Sequence, residues 1–463
     1  MIVERVISEG LAHISYFVGS GKDAVVIDPR RDCDAYMKLA KREDMKIQYI
    51  FETHRHEDFV IGSLELVHLT GAKVYHGPGL GFKYGEELKD GDEFTLGFLK
   101  LRVIHTPGHT DESVCYALSD LTSGTEPVIV FTGDTLFVGD VGRTDLYGPE
   151  QAPRLAEALY ESIFNKLLPL GDGVMIYPAH GAGSVCGGTI NLREVSTLGL
   201  ERIQNPALQK IRKDDFIEFK CSEQHERPHY FGKMEVYNLN GPPLLKQLPD
   251  PPPLSPKEFQ KQMDDGAIVV DTRMPTSFGA AYIKGSYSIW LDGIPTYAGW
   301  VLTYDIPVLL VLENRGQGEK AVRYLVRLGY DKIAGYLCRK TGECGVELWY
   351  NVAFPMEHIG LLTVHELKYR LESSEDLKML DVRTDKEWGR GHISGAIHIH
   401  VGNLRERINE IPKKDHPIVV LCGSGRRSSI GASILSRGGY QKIYNILGGM
   451  TAWRNAGYET VKD

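Results

Sequence analysis

The chain has 463 residues, too many for one ordinary core, so two to four domains are expected; its 42% apolar and 25% charged residues are ordinary globular values. With 53 Lys and Arg against 61 Asp and Glu, the net charge of −8 leaves no basic footprint for nucleic acid. No apolar run reaches membrane-spanning length, and Met1-Ile2-Val3-Glu4-Arg5-Val6 does not show the basic start and apolar stretch expected of a signal peptide.

Seven cysteines, an odd number, suit a reducing cytoplasm better than a disulfide framework. Cys338 and Cys344 have five residues between them, which is no metal-knuckle spacing, and are expected to be ordinary thiols.

The first informative element is the strand Tyr49-Ile50-Phe51, which runs into Thr53-His54-Arg55-His56-Glu57-Asp58-Phe59. Thr106-Pro107-Gly108-His109-Thr110, Gly133-Asp134-Thr135 and Tyr177-Pro178-Ala179-His180-Gly181 follow. Each His or Asp comes after a short apolar run, where a strand would end and a loop begin. Four such loops on one sheet edge make a metal site. The spacing resembles that of the metallo-β-lactamase fold, whose two-metal hydrolases read T-H-x-H-x-D-H. Phe59 stands at the last His of that motif, and a phenyl ring cannot ligate, so one metal is expected.

Farther on, Gly241-Pro242-Pro243 through Pro249-Asp250-Pro251-Pro252-Pro253 is so rich in proline that an extended spacer is expected over 241–256. Beyond it lies an internal repeat. Asp271-Thr272-Arg273 matches Asp381-Val382-Arg383, Phe278 matches Trp388, and Ile283-Lys284-Gly285 matches Ile393-Ser394-Gly395, all offset by 110 (381 − 271). The same register pairs Leu328-Gly329-Tyr330 with Gly438-Gly439-Tyr440. Two copies are too few for a solenoid, so two compact α/β domains are expected, the second opening with a helix over Val364 to Leu371 and a strand at Lys378-Met379-Leu380.

In the second copy the strand Ile418-Val419-Val420-Leu421 leads into Cys422-Gly423-Ser424-Gly425-Arg426-Arg427-Ser428. A cysteine between a strand and a Gly-rich turn into a helix faces backbone N–H groups and a helix N-terminus, both of which favour a thiolate and bound anions. Arg427 is expected to add charge. This resembles the rhodanese active loop, with Gly391-His392-Ile393-Ser394-Gly395-Ala396 and Leu447-Gly448-Gly449-Met450-Thr451-Ala452-Trp453 in support. A related phosphatase would need five residues between Cys and Arg; here there are four, and the phosphatase position is Ser428. Subtracting 110 from Cys422 gives Leu312, so the first copy has lost its nucleophile and is expected to be a scaffold.

Taken together, the motifs resemble the persulfide dioxygenase–rhodanese fusion proteins over essentially the whole chain. The fold class implied is multidomain α/β: a metallo-β-lactamase αββα sandwich over 1–240, a linker over 241–256, an inactive rhodanese-like domain over 257–356 and an active one over 357–463. The resemblance implies one Fe(II) per chain on His54, His109 and Asp134, a two-His, one-carboxylate set that leaves positions open. It places His56, Asp58 and His180 around that set, and Arg143 and Asp145 in a turn that is either a structural ion pair or a substrate contact. The implied reactants are a low-molecular-weight thiol persulfide and O2, giving sulfite and thiol, with Cys422 moving sulfane sulfur to or from thiosulfate.

Gly423, where many thiosulfate-using rhodaneses carry Arg, weakens that donor's case. Cys186 and Cys221 are further candidates for handling sulfur. The alternatives are a glyoxalase II-type thioester hydrolase with a fused sulfurtransferase, and a non-enzymatic sulfur carrier. A cytoplasmic setting is expected, and the oligomeric state, homo-oligomer included, is left open.

Overall fold

The computed structural model describes residues 1–463 apart from Gln224, Lys340, Thr341, Lys413, Lys414 and Asp463. The chain divides into two compact units, Met1–Leu248 with Val326–Gly329, and Pro249–Leu325 with Tyr330–Asp463. Among the described residues no helix is long and apolar enough to cross a membrane.

The first unit is built on two six-stranded sheets. One runs in chain order through Ile2–Ser8, His13–Ser20, Asp23–Ile27, Lys46–Phe51, Lys73–His76 and Glu86–Glu87. The other has the order Ser196–Thr197, Met175–Pro178, Pro127–Gly133, Val114–Asp120, Leu99–His105, Glu93–Leu96.

Strand side chains alternate between faces, and here both faces are buried. Tyr16, Val18, Val25, Ile27 and Phe51 pack with Leu101, Val103, Tyr116 and Phe131 in the core between the sheets. Their neighbours Phe17, Ala24 and Val26 point the other way, onto Tyr36 and Ala40 of helix Asp34–Arg42 and Leu66 of helix Ser63–Thr70. On the far side Ile104, Cys115, Ala117 and Val130 meet Leu159 of helix Ala152–Glu161 and Phe216 of helix Lys213–Cys221. The result is the four-layer helix–sheet–sheet–helix sandwich the motifs imply.

The second unit holds two five-stranded parallel sheets of one topology. The first has the order Pro253–Leu254, Ile333–Leu337, Val308–Val311, Ile268–Asp271, Tyr287–Ser288. The second has the order Gly360–Leu362, Ile443–Ile446, Ile418–Leu421, Lys378–Asp381, Ile397–His398. The repeat extends to single bonds. Arg273 and Arg383 each clasp the aspartate two residues earlier through Nη2 at 2.6 Å, and each donates to a backbone carbonyl, of Ala281 or Gly391.

Two expectations are corrected. The spacer is shorter than 241–256, because Pro253–Leu254 already forms an edge strand paired with Ile333–Leu337. A Pro is tolerated there, at the first residue of an edge. Ser255 then caps helix Pro256–Asp264 in a reciprocal box with Glu258. Cys338 and Cys344 are not free thiols but are joined by a disulfide; an antiparallel bridge between the two residues brings their side chains together, with Cα atoms 4.0 Å apart.

Candidate metal and thiol sites

The sheet edges of the first unit deliver the predicted loops to one place. His54, His56 and Asp58 follow strand Lys46–Phe51; His109 lies between strands Leu99–His105 and Val114–Asp120; Asp134 follows Pro127–Gly133; His180 follows Met175–Pro178. All six are buried. His54 Nε2 and His109 Nε2 lie 3.7 and 3.5 Å from Asp134 Oδ2. The opposite ring nitrogens are tied down: His54 Nδ1 meets Thr53 Oγ1 at 2.9 Å, and His109 Nδ1 donates to the Arg143 carbonyl at 3.0 Å. Such outer bonds fix ring orientation around a metal. Both Nε2 atoms are left buried without a hydrogen-bond partner, facing the carboxylate.

The electrostatics suit ligation. Burial lowers the His109 pKa to about 4, and burial, then His56, pushes His54 well down, so both rings are neutral with lone pairs free at neutral pH. Burial works against charge on Asp134, yet His180 and His54 hold it well below the carboxylate range. Two neutral imidazoles, a carboxylate and unpartnered buried nitrogens fit a divalent ion such as Fe(II).

His56, Asp58 and His180 form a second cluster, their donor atoms within 4.8 Å of one another. His180 bridges two carboxylates, Nδ1 to Asp134 at 2.7 Å and Nε2 to Asp58 at 3.0 Å, and these raise its pKa against the effect of burial. Phe59 is fully buried beside this cluster, its ring centroid 4.6 Å from that of His56 and 4.1 Å from that of His13. His13 was not foreseen from sequence. It enters from the first hairpin, held by Ser8 Oγ at 3.0 Å and by a backbone bridge to His180, and no motif around it signals a site.

Arg143 and Asp145 form a two-pronged ion pair at 2.6 and 2.9 Å. The other guanidinium nitrogen holds the carbonyls of Val185 and Glu226 at 3.2 Å, so Arg143 knits the loops behind His109. Cys186 is buried with its thiol within 4.8 Å of donor atoms of His109 and Asp134. Burial, then Asp58 and Asp134, pushes that thiol up, so it is neutral. Cys221 is exposed at the end of a helix and joins none of these groups.

In the second unit Cys422 sits at the carboxyl end of the central strand, buried, and accepts a hydrogen bond from Gly425 N–H at 3.2 Å; Ser428 Oγ lies 3.4 Å away. The turn requires glycine. Gly425 has φ +93°, and a Cβ there would meet the Ile446 carbonyl at 2.8 Å. A Cβ on Gly449 would meet the Cys422 carbonyl at 2.2 Å, because Met450 N–H bonds that carbonyl. Arg427 does not add free charge as expected: Glu387 grips it through both oxygens at 2.5 and 2.6 Å. The first repeat reaches this loop, with Ser288 Oγ 2.8 Å from Ser429 Oγ and the Arg426 guanidinium 5.7 Å over the Trp290 ring.

Comparison with known proteins agrees with this division. The metallo-beta-lactamase superfamily profile matches residues 9–180, and the rhodanese-like domain profile matches residues 363–456. A metallo-beta-lactamase structure from Staphylococcus aureus is 31% identical at a TM-score of 0.65, covering 73% of this chain and 98% of that one. An uncharacterized protein of Mycobacterium leprae is 30% identical over 219 residues, 42% of this chain and 90% of its own length. A hydroxyacylglutathione hydrolase of Francisella tularensis subsp. novicida is 31% identical over 176 residues, 38% of this chain and 65% of its own length.

Proposed function

The chain belongs to the metallo-beta-lactamase superfamily and carries a rhodanese-like domain, and from this premise we propose that it oxidises a low-molecular-weight thiol persulfide and moves sulfane sulfur through Cys422. The overall reaction balances as R–S–SH + O2 + H2O → R–SH + SO3²⁻ + 2 H⁺. The observation that carries the reading is the pairing of two features in one chain. One is the set His54, His109 and Asp134, with the non-ligating Phe59 against the neighbouring His56; the other is a cysteine cradled by backbone N–H.

Fe(II) held by His54, His109 and Asp134 would supply the redox chemistry of oxygen activation. The protein's own part is positional. Thr53 and the Arg143 carbonyl fix the two rings. His180 shares its protons between Asp134 and Asp58 and so keeps the ligating carboxylate ionised. Burial excludes bulk water from the pocket, which protects a reactive sulfur species. At Cys422 the N–H of Gly425 and the start of helix Arg426–Arg437 stabilise thiolate or persulfide sulfur. A persulfide on Cys422 attacked at its outer sulfur by sulfite yields thiosulfate and the free thiolate, and the reverse charges the enzyme.

A second reading keeps a specific observation in its favour. The cluster His56, Asp58 and His180 still offers three donors, and the hydrolase relative is a thioester enzyme by name. The test is metal content with the Phe59→His variant alongside. About one iron per chain is expected after anaerobic preparation, with the substitution raising occupancy towards two. Two zinc ions per wild-type chain, with thioester hydrolysis, would favour the hydrolase.

A further inference from the structure

Glu57 lies between His56 and Asp58 in sequence, yet its side chain turns to the other metal group. It is fully buried. Oε1 is anchored by Arg55 Nη2 at 3.2 Å, and the Arg55 backbone N–H is fixed in turn by Glu112 at 2.8 Å. Oε2 has no hydrogen-bond partner and lies 4.0 Å from His109 Nε2. His54, Glu57 and His109 offer donor atoms within 4.8 Å of one another. A buried carboxylate oxygen without a hydrogen-bond partner, beside imidazole nitrogens that also lack one, makes a polar cluster that a bound cation would satisfy.

His109 Nε2 is common to both carboxylates, 3.5 Å from Asp134 Oδ2 and 4.0 Å from Glu57 Oε2, and His54 Nε2 lies 3.7 Å from Asp134 Oδ2. We propose that Glu57 is a fourth protein ligand of the ion held by His54, His109 and Asp134. The inference rests on the metal-site reading above but not on the reaction assigned to it. Two carboxylates balance the charge of a divalent ion. A fourth protein donor would leave the ion one fewer position open to other ligands.

The test uses full-length protein stripped of metal and reloaded anaerobically with Co(II), so that it is independent of oxygen chemistry. Competition with a chelator is expected to show a Co(II) dissociation constant raised at least tenfold in Glu57→Gln, with a changed visible Co(II) band. Sulfur transfer at Cys422 is expected to be unchanged, and an unaltered circular dichroism spectrum of the metal-free variant reports an intact first unit. Glu57→Asp keeps the charge beside Arg55 but shortens the reach, and is expected to weaken Co(II) and alter the band as well. A dissociation constant within twofold of wild type and an unchanged band in either folded variant overturn the proposal. Failure of persulfide oxidation with these Co(II) results intact would instead count against the proposed reaction.

Discussion

The two repeats of the second unit share a sheet topology, a sequence register and an Asp–Arg clasp, and differ at the end of one strand. After Ile418–Leu421 comes Cys422 with a left-handed Gly425, and helix Arg426–Arg437 begins at once. After Val308–Val311 comes a buried Leu312, then a 3₁₀ turn at Arg315–Gln317, and the helix starts only at Gly318. Where the second copy has Glu387 gripping Arg427, the first has Ser277 and Gln317 at the equivalent positions. The scaffold is common to both copies, held by the buried clasp and the strands, while the cysteine stands in the second loop alone of the two; on the proposed function that loop carries the chemistry.

The largest expected effect tests the loop itself. Cys422→Ser should lower cyanide-accepting sulfur transfer by about a thousandfold or more, as for loss of a covalent nucleophile, while metal content is unchanged. Leu312→Cys in that background should recover under about 1% of the rate, because a thiol there lacks the backbone N–H donor that Gly425 gives Cys422 Sγ. Rescue to a tenth of wild type, measured as thiocyanate formed, would show that the first loop kept a working cradle.

The clasps sharpen the comparison. Asp271→Asn and Asp381→Asn each strand a buried guanidinium, and each should cost about 3–5 kcal/mol in denaturant unfolding. Their effects on transfer should part. Arg383 also holds the Glu387 carbonyl at 3.0 Å, and Glu387 holds Arg427, so Asp381→Asn should slow transfer and Asp271→Asn should not. Equal rates in the two folded variants would break the link from clasp to loop.

The smallest effect concerns pH. Burial opposes the charge on Glu387, but Arg427 lowers its pKa to about 2 from an ordinary 4.5. A depressed carboxylate stabilises the fold above its unfolded value and loses that contribution as pH falls. Glu387→Gln should therefore be less stable by about 1 kcal/mol at pH 7, after allowance for partial exposure, with the difference shrinking from pH 4.5 towards 2. A difference that is constant across that range would remove the ion pair from the account.

What could be read in the sequence was local or periodic. The proposed ligands His54, His109 and Asp134 each follow a strand, and the offset of 110 residues exposes Leu312 in place of Cys422. What could not be read depends on long-range packing. His13 joins the metal pocket only because the first hairpin pairs with the His180 loop, and Glu387 meets Arg427 across 40 residues. The Cys338–Cys344 disulfide depends on a backbone bridge between the two residues that the sequence between them does not declare. Glu57 was visible within the ligand motif, but the face it serves is set by Arg55 and the backbone.

On the proposed function the first unit consumes oxygen to oxidise a persulfide, independently of Cys422. Oxygen uptake by iron-loaded Cys422→Ser protein on glutathione persulfide tests it most directly. One O2 consumed per persulfide, with sulfite as the sulfur product, is the predicted result. No oxygen uptake by protein of full iron content, together with hydrolysis of a glutathione thioester, would contradict it.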